Sequence, residues 1–431
     1  MPPQPAQSPV SAESPQAPAA EDFLRDFRAM SEFGATGRGG VDRQAATEPD
    51  AEQRRWLRRL LEARGFTVRF DRIGNEWGLL ERVPGAPFVV VGSHMDSQPT
   101  AGKYDGAYGV LAAAHAAFRL QAEWEGGGRP EPRFNVAVVN WFNEEGSRFK
   151  PSMMGSSVYT GKMPAAEALA VRDADGESVE DALRAHGFLS EWEGPEAAFC
   201  AEIHVEQGRS MERDGVQIGL VHSNWAANKY EFAVHGEQAH TGSTEIPDRR
   251  DALLGASMLV VAAREIADAF PGKVHTSVGQ LDVYPNSPVV VPSEVTLLLD
   301  LRSADEDLLA QADAMLHERV AQAERAARVD VEQRTSHAWP VTPYQPEGVE
   351  LGEKAAAGLG LAHARVMTLA GHDSTNMKDL VPTVMLFVPS VEGISHNERE
   401  FTRDEDLTAG VDMLTDVVGR LAAGELEGRA G

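Results

Sequence analysis

Four stretches of this chain place histidines and carboxylates just beyond short apolar runs. They are Gly92-Ser93-His94-Met95-Asp96, with Lys103-Tyr104-Asp105-Gly106 shortly after; Asn143-Glu144-Glu145-Gly146; Glu202-Ile203-His204-Val205-Glu206-Gln207-Gly208; and Ser395-His396-Asn397-Glu398. Imidazole and carboxylate are ligands that borderline divalent metals accept. A histidine two residues before an aspartate is the spacing a metal site uses when a carboxylate must orient the imidazole and fix its tautomer. Asp105, eleven residues after His94, offers a carboxylate at a turn that Gly106 makes permissive. Glu144 and Glu145 can aim at one site from a single loop, one as ligand and one as a base. Each cluster alone has a bland equivalent, a strand-end histidine or a solvated acidic turn. Together they supply three histidines and more than the two carboxylates expected of two metals a few ångström apart sharing one carboxylate. Water between two such ions gives up a proton near neutral pH, and a nearby glutamate can carry it to a leaving nitrogen. His372-Asp373 reads either as a pair supporting a ligand or as a packed loop turn, and His115, His222, His235 and His317 read as structural or surface residues.

Residues so far apart in sequence converge only if a fold brings strand ends together. Residues 88–91, 134–139 and 384–388 are apolar runs of strand length, while 56–63, 108–120 and 407–421 carry helical spacing. That alternation predicts an α/β domain with a largely parallel central sheet, its functional residues where strands run out into loops. From Lys229 the order changes to strand (230–234), helix (249–267), strand (276–284), strand (295–301), helix (305–326), strand (328–332), the ferredoxin-like βαββαβ unit. The expected division is a tail over 1–20, a first catalytic part over 21–214, an inserted domain over 215–335 and a second catalytic part over 336–431.

At about 100–200 residues per domain, 431 residues suffice for two or three domains with real cores. Charged residues are 25% and hydrophobic ones 42%, a globular balance. Acids outnumber bases by 66 to 40, and the resulting charge of −26 argues against nucleic-acid and membrane partners. No run of about 18 apolar residues suggests a membrane span. A lone cysteine, Cys200, excludes an intramolecular disulfide and fits a reducing cytoplasm. Pro2, Pro3, Pro5, Pro9, Pro15 and Pro18 among Ala, Ser and Gln predict a disordered tail.

The runs GSHMDS, AGKYDGAYGV, NEEGSRF, EIHVEQG, GEQAHTGST, RRDAL, AGHDSTN and PSVEGISHNE, over about residues 22–425, resemble the di-zinc amidohydrolases. That group includes N-carbamoyl-L-amino-acid hydrolases, allantoate amidohydrolases and β-ureidopropionases, within the aminoacylase and carboxypeptidase G-like metallopeptidase clan. The resemblance implies that His94, Asp105 and His204 hold one metal and Asp105, Glu145 and His396 the other, Asp105 being the bridge. It implies that Asp96 orients His94, that Glu144 is the general base, that Gln207 contacts substrate and that Gly371 meets it through its backbone. On the inserted domain it makes His240 the oxyanion donor and Arg302 the carboxylate-binding residue. It further implies a metallopeptidase-like catalytic domain whose ferredoxin-like insert serves as lid and dimerisation surface, and a homodimer in which His240 reaches the other subunit's active site. Two divalent ions are implied, zinc first, with manganese, cobalt and nickel also accepting such ligands.

One departure bears on substrate. The family places a substrate-contacting asparagine three residues beyond Asn286, where this chain has Val289. Either Asn286 substitutes from nearby or the substrate is less polar there. Ser374 and the run 224–228 also differ from the family pattern. The expected activity is hydrolysis of a non-peptide C–N bond in an N-carbamoyl-L-amino acid or related ureido acid, giving amino acid, carbon dioxide and ammonia. The alternatives are an N-acyl-amino-acid amidohydrolase or dipeptidase of the same clan, favoured by Val289, and a non-catalytic metal-containing binding protein. The last would lack a ligand or the base, and this sequence retains all of them.

Overall fold

The computed structural model describes residues 19–427. The expected tail lies outside the described residues except for Ala19 and Ala20, which cap and open the helix Ala20–Met30. The chain divides into two compact units, one formed by Ser223–Pro343 with Met367–Ala370, the other by the residues on either side. Before the second unit come β1 (Thr67–Phe70), β2 (Glu76–Leu80), β3 (Phe88–His94), β4 (Asn135–Trp141) and β5 (Ala197–Val205), and β6 (Ile218–Asn224) runs into its first two residues. The second unit contributes β7 (Ala226–His235), β8 (Ala239–His240), β9 (Val274–Tyr284), β10 (Val290–Val291), β11 (Glu294–Ser303) and β12 (Asp330–Trp339). After it follow β13 (His363–Thr368) and β14 (Thr383–Val388). Among the described residues no helix is long and apolar enough to cross a membrane.

The first unit is built on an eight-stranded sheet in the order β1-β2-β4-β3-β5-β14-β6-β13. Its middle is parallel: β3 pairs with β4 and β5, and β14 pairs with β5. Antiparallel pairs, β1 with β2, β2 with β4 and β6 with β14, flank that middle. The parallel strands are apolar along their length because both faces are covered; every residue of β3, β4 and β14 is buried. The helices Ala107–Glu125 and Asp404–Ala422 pack against this sheet within the largest core cluster. A shorter helix was expected over 56–63; it runs Glu48–Glu62. Its first turns bury Asp50, Gln53 and Arg54, so apolar periodicity begins only past them.

The second unit has the order β-α-β-β-α-β in its long elements, with an antiparallel sheet β12-β7-β11-β9. Along β11, Val295, Leu297, Leu299 and Leu301 are buried in a core shared with the helices Ala252–Ala269 and Glu306–Ala327. The period of two therefore sends Asp300 and Arg302 to the opposite, half-exposed face. The unit spans 223–343 where 215–335 was expected, because Gly219 and Leu220 pair with β14 in the central sheet while β12 continues to Trp339. The extra length of β12 is polar and exposed, without the alternation that marks a half-buried strand; pairing with β7 fixes it.

Candidate metal centre

The four motif clusters follow β3, β4, β5 and β14, the four mutually parallel strands, so their loops leave the same edge of the sheet. His94 ends β3, His204 is the penultimate residue of β5, Glu144 and Glu145 follow β4, and His396 lies beyond β14. Asp105 sits in the turn before the helix Ala107–Glu125. Asp105 Oδ1 is 2.9 Å from His204 Nε2 and 3.6 Å from His94 Nε2, while its Oδ2 is 3.2 Å from His396 Nε2. Glu145 Oε2 lies 3.4 Å from His396 Nε2, and Glu144 Oε2 lies 3.5 Å from His94 Nε2. Two overlapping triads result, His94-Asp105-His204 and Asp105-Glu145-His396, with ligand atoms in each within 4.8 Å of one another.

The tautomers suit ligation. His94 Nδ1 is 3.0 Å from the Asp96 carbonyl oxygen and His204 Nδ1 is 2.9 Å from that of Val205; both contacts need an N–H, which leaves the lone pair on Nε2. The Gly106 N–H donates to His204 Nε2 at 2.9 Å, which requires the same tautomer. Gly106 has a positive φ of 62°, and a Cβ there would lie 2.3 Å from His94 Nε2, so only glycine closes this turn.

The ion-pair partners of Asp105, Glu144 and Glu145 are these histidines. Burial pushes Glu144 well above the ordinary glutamate range, more than His94 draws it down, with Asp373 and Glu145 adding like charge. Burial, with Asp105 next, takes Glu145 up to about 7. Burial opposes a charged His396, yet Asp105 and Glu145 hold it up to about 9. Crowded carboxylates draw protons onto the facing Nε2 atoms, and a cation that replaces those protons meets the same carboxylates and imidazoles. Two small divalent cations fit that donor set.

Asp96 does not reach His94 Nδ1 with its carboxylate at hydrogen-bond distance, Oδ1 being 3.6 Å away; its backbone carbonyl orients the ring. The carboxylate instead accepts the N–H groups of Glu144 (3.2 Å) and Glu145 (3.3 Å), holding the turn that carries both acids. Gln207, with a φ of 59°, donates from Nε2 to Asp105 Oδ2 at 2.8 Å and to Ser395 Oγ at 3.0 Å. The buried His372 ring centre is 4.5 Å from that of His204, which packs it against that imidazole. Gly371 lies beside Met153, whose methyl a Cβ would meet at 3.1 Å. His115 is buried and 3.1 Å from Asp26, as a structural residue should be.

His240, Arg302 and Asn286 belong to the second unit. The exposed His240 accepts the N–H groups of Gly242 (3.0 Å) and Ser243 (3.2 Å) at Nδ1, so its proton resides on Nε2 as a donor. It pairs with Val290 across β8 and β10, and Val289, 61% exposed, accepts the Thr241 N–H at 3.3 Å. Asn286 is exposed with a φ of 51°. Arg302 is gripped by Asp300, Nε to Oδ1 at 3.0 Å and Nη2 to Oδ2 at 2.8 Å, while Nη1 donates to the Leu369 carbonyl. Asp300 carries no motif of its own, although a spacing of two on a strand puts it on the face of Arg302.

Across residues 90–420 the sequence matches the peptidase family M20/M25/M40. It is 58% identical to a putative hydrolase of Mycolicibacterium smegmatis, over 94% of each chain. It is 35% identical to an N-carbamoyl-L-amino-acid amidohydrolase of Rhizobium meliloti, over 89% of this chain and 92% of that one. The fold resembles an amidase of the hydantoinase/carbamoylase family from Burkholderia vietnamiensis, with a TM-score of 0.88 and 34% identity over 94% of this chain and 98% of that one.

Proposed function

The chain belongs to peptidase family M20/M25/M40 and is a hydrolase of C–N bonds other than peptide bonds; on that premise we propose that it cleaves N-carbamoyl-L-amino acids or closely related ureido acids with two divalent ions. One observation carries this reading: three imidazole Nε2 atoms, from the ends of β3 and β5 and from the loop beyond β14, lie within 3.6 Å of a single carboxylate, Asp105. His94, Asp105 and His204 hold one ion and Asp105, Glu145 and His396 the other, zinc fitting first. When bound, the ions supply the charge that acidifies water and polarises the scissile carbonyl.

The remaining steps belong to side chains. Glu144 takes the proton from the attacking water and delivers it to the leaving nitrogen, a task suited to a carboxyl that burial makes more basic than an ordinary glutamate. Asp96 keeps Glu144 aimed through the backbone of its turn. Gln207 and the Gly371 backbone contact substrate. His240 offers its Nε2–H to the oxyanion, and the end of the Arg302 guanidinium not gripped by Asp300 receives the substrate carboxylate. The carbamate released breaks down to carbon dioxide and ammonia, leaving the free amino acid.

We propose a homodimer, with His240 serving the other subunit's site. Of the eleven exposed large apolar side chains among the described residues, eight lie in the second unit, Leu254, Val260 and Val261 on one helix and Leu281 and Tyr284 on β9 among them. A second reading, hydrolysis of N-acyl amino acids, is favoured by the apolar Val289 beside His240. Incubating the metal-loaded protein with N-carbamoyl, N-formyl and N-acetyl amino acids and with allantoate, and measuring ammonia and free amine separately, decides between them. Ammonia equimolar with amine from carbamoyl substrates supports the first reading; amine without ammonia, from acyl substrates only, supports the second.

A further inference from the structure

Glu400 is a buried carboxylate to which the foregoing mechanism gives no task; it is 5% exposed. Its Oε2 accepts the backbone N–H groups of Tyr104 (3.0 Å) and Asp105 (3.1 Å). Its Oε1 lies 3.1 Å from Ser395 Oγ, which in turn lies 3.2 Å from Asp105 Oδ2 and accepts the Gln207 amide at 3.0 Å. The loop is shaped around it: a Cβ on Gly102 would fall 2.1 Å from Glu400 Oε2.

This clasp answers a mechanical need. The side chains of His94 and His204 are 2% and 1% exposed and are fixed by packing and by their Nδ1 hydrogen bonds, whereas that of His396 is 49% exposed. An imidazole so open is placed by its loop, not by a core. The loop is tied down by Glu398, which pairs with Arg38 at 2.8 Å and with Thr36, and by Glu400, which alone of the two joins it to the backbone of Asp105. We infer that Glu400 is a positioning residue that locks the His396 segment to the Asp105 turn and so sets the Asp105-Glu145-His396 cation position. The inference rests on the two-ion reading above.

Calorimetric zinc titration of the purified full chain tests it. The wild type takes up two zinc ions. In Glu400→Ala the His94 position keeps its affinity and the His396 position weakens by about 10- to 100-fold, the usual cost of losing a residue that holds a ligand. Glu400→Gln restores it to within a few-fold, because the amide oxygen accepts both N–H groups while its NH2 donates to Ser395 Oγ, freeing the Ser395 hydrogen for Asp105. Two zinc ions bound by Glu400→Ala with wild-type affinities would overturn the inference, as would equal weakening of both positions that the glutamine variant fails to relieve. If Glu400→Ala does not fold, Ser395→Ala decides: selective weakening of the second zinc supports the clasp, and wild-type titration overturns it. A wild type that binds fewer than two zinc ions contradicts the two-ion reading itself.

Discussion

The two units treat charge in opposite ways. The first buries acids and bases, among them Arg43, Asp50, Arg54, Glu76, Asp105 and Glu144; among its described residues the second buries no acidic or basic side chain. Burying a charge costs free energy unless partners compensate it, so the first unit tolerates that cost where its geometry must be rigid. The second has an apolar core of ordinary kind and carries His240, Asn286 and Arg302 on partly or fully exposed positions. The contrast assigns rigid chemistry to one unit and adaptable recognition to the other.

Glu144→Gln tests the rigid side most severely. Turnover should fall by about 10²–10⁴-fold, the range for a lost general acid–base group, with bound metal unchanged; wild-type turnover would remove Glu144 from the mechanism. His240→Ala is the variant that can break the division of labour, since it sits on the exposed unit yet is assigned to the oxyanion. We expect kcat to drop by about 10²–10³-fold with little change in KM. A change confined to KM would make it a binding group. Arg302→Met should do the reverse, raising KM by about 10- to 100-fold, as the loss of charged hydrogen bonds predicts, with kcat nearly kept.

The smallest effect concerns stability. Burial holds Glu76 up to about 8 despite the opposing Arg54, whereas in the unfolded chain it ionises near the ordinary glutamate value. The folded state therefore binds the extra proton between those limits, and its contribution to stability is lost as pH rises across that window, levelling above about 8. In Glu76→Gln, urea unfolding should show a shallower decline over the same pH range. An unchanged slope would mean that Glu76 is ionised in the fold.

The sequence made His94, Asp105, Glu145, His204 and His396 readable because strand ends in a parallel sheet converge, so motifs at the ends of such runs share a site. It also supported the βαββαβ order, since β11 and its neighbouring helices carry clear periodicity. The carboxylate of Asp96 was not readable in the same way. Its partners are backbone N–H groups whose direction depends on Asn143 taking a φ of 51°. Glu400 lies in Asn-Glu-Arg-Glu, which reads as solvated surface, and only the fold reveals that the Asp105 turn closes over it. Asp300 escaped because a salt bridge of two residues' spacing on a strand has no composition signal. The polar end of β12 escaped because an exposed strand is defined by its partner.

Everything proposed for the first unit depends on Asp105 holding two cations at once. The direct measurement is divalent metal per chain after zinc loading and desalting, for the wild type and for Asp105→Ala. The account predicts two equivalents in the wild type and close to none in the variant, because each triad loses the same carboxylate. One equivalent or fewer in the wild type, or a variant that retains its metal, would contradict it.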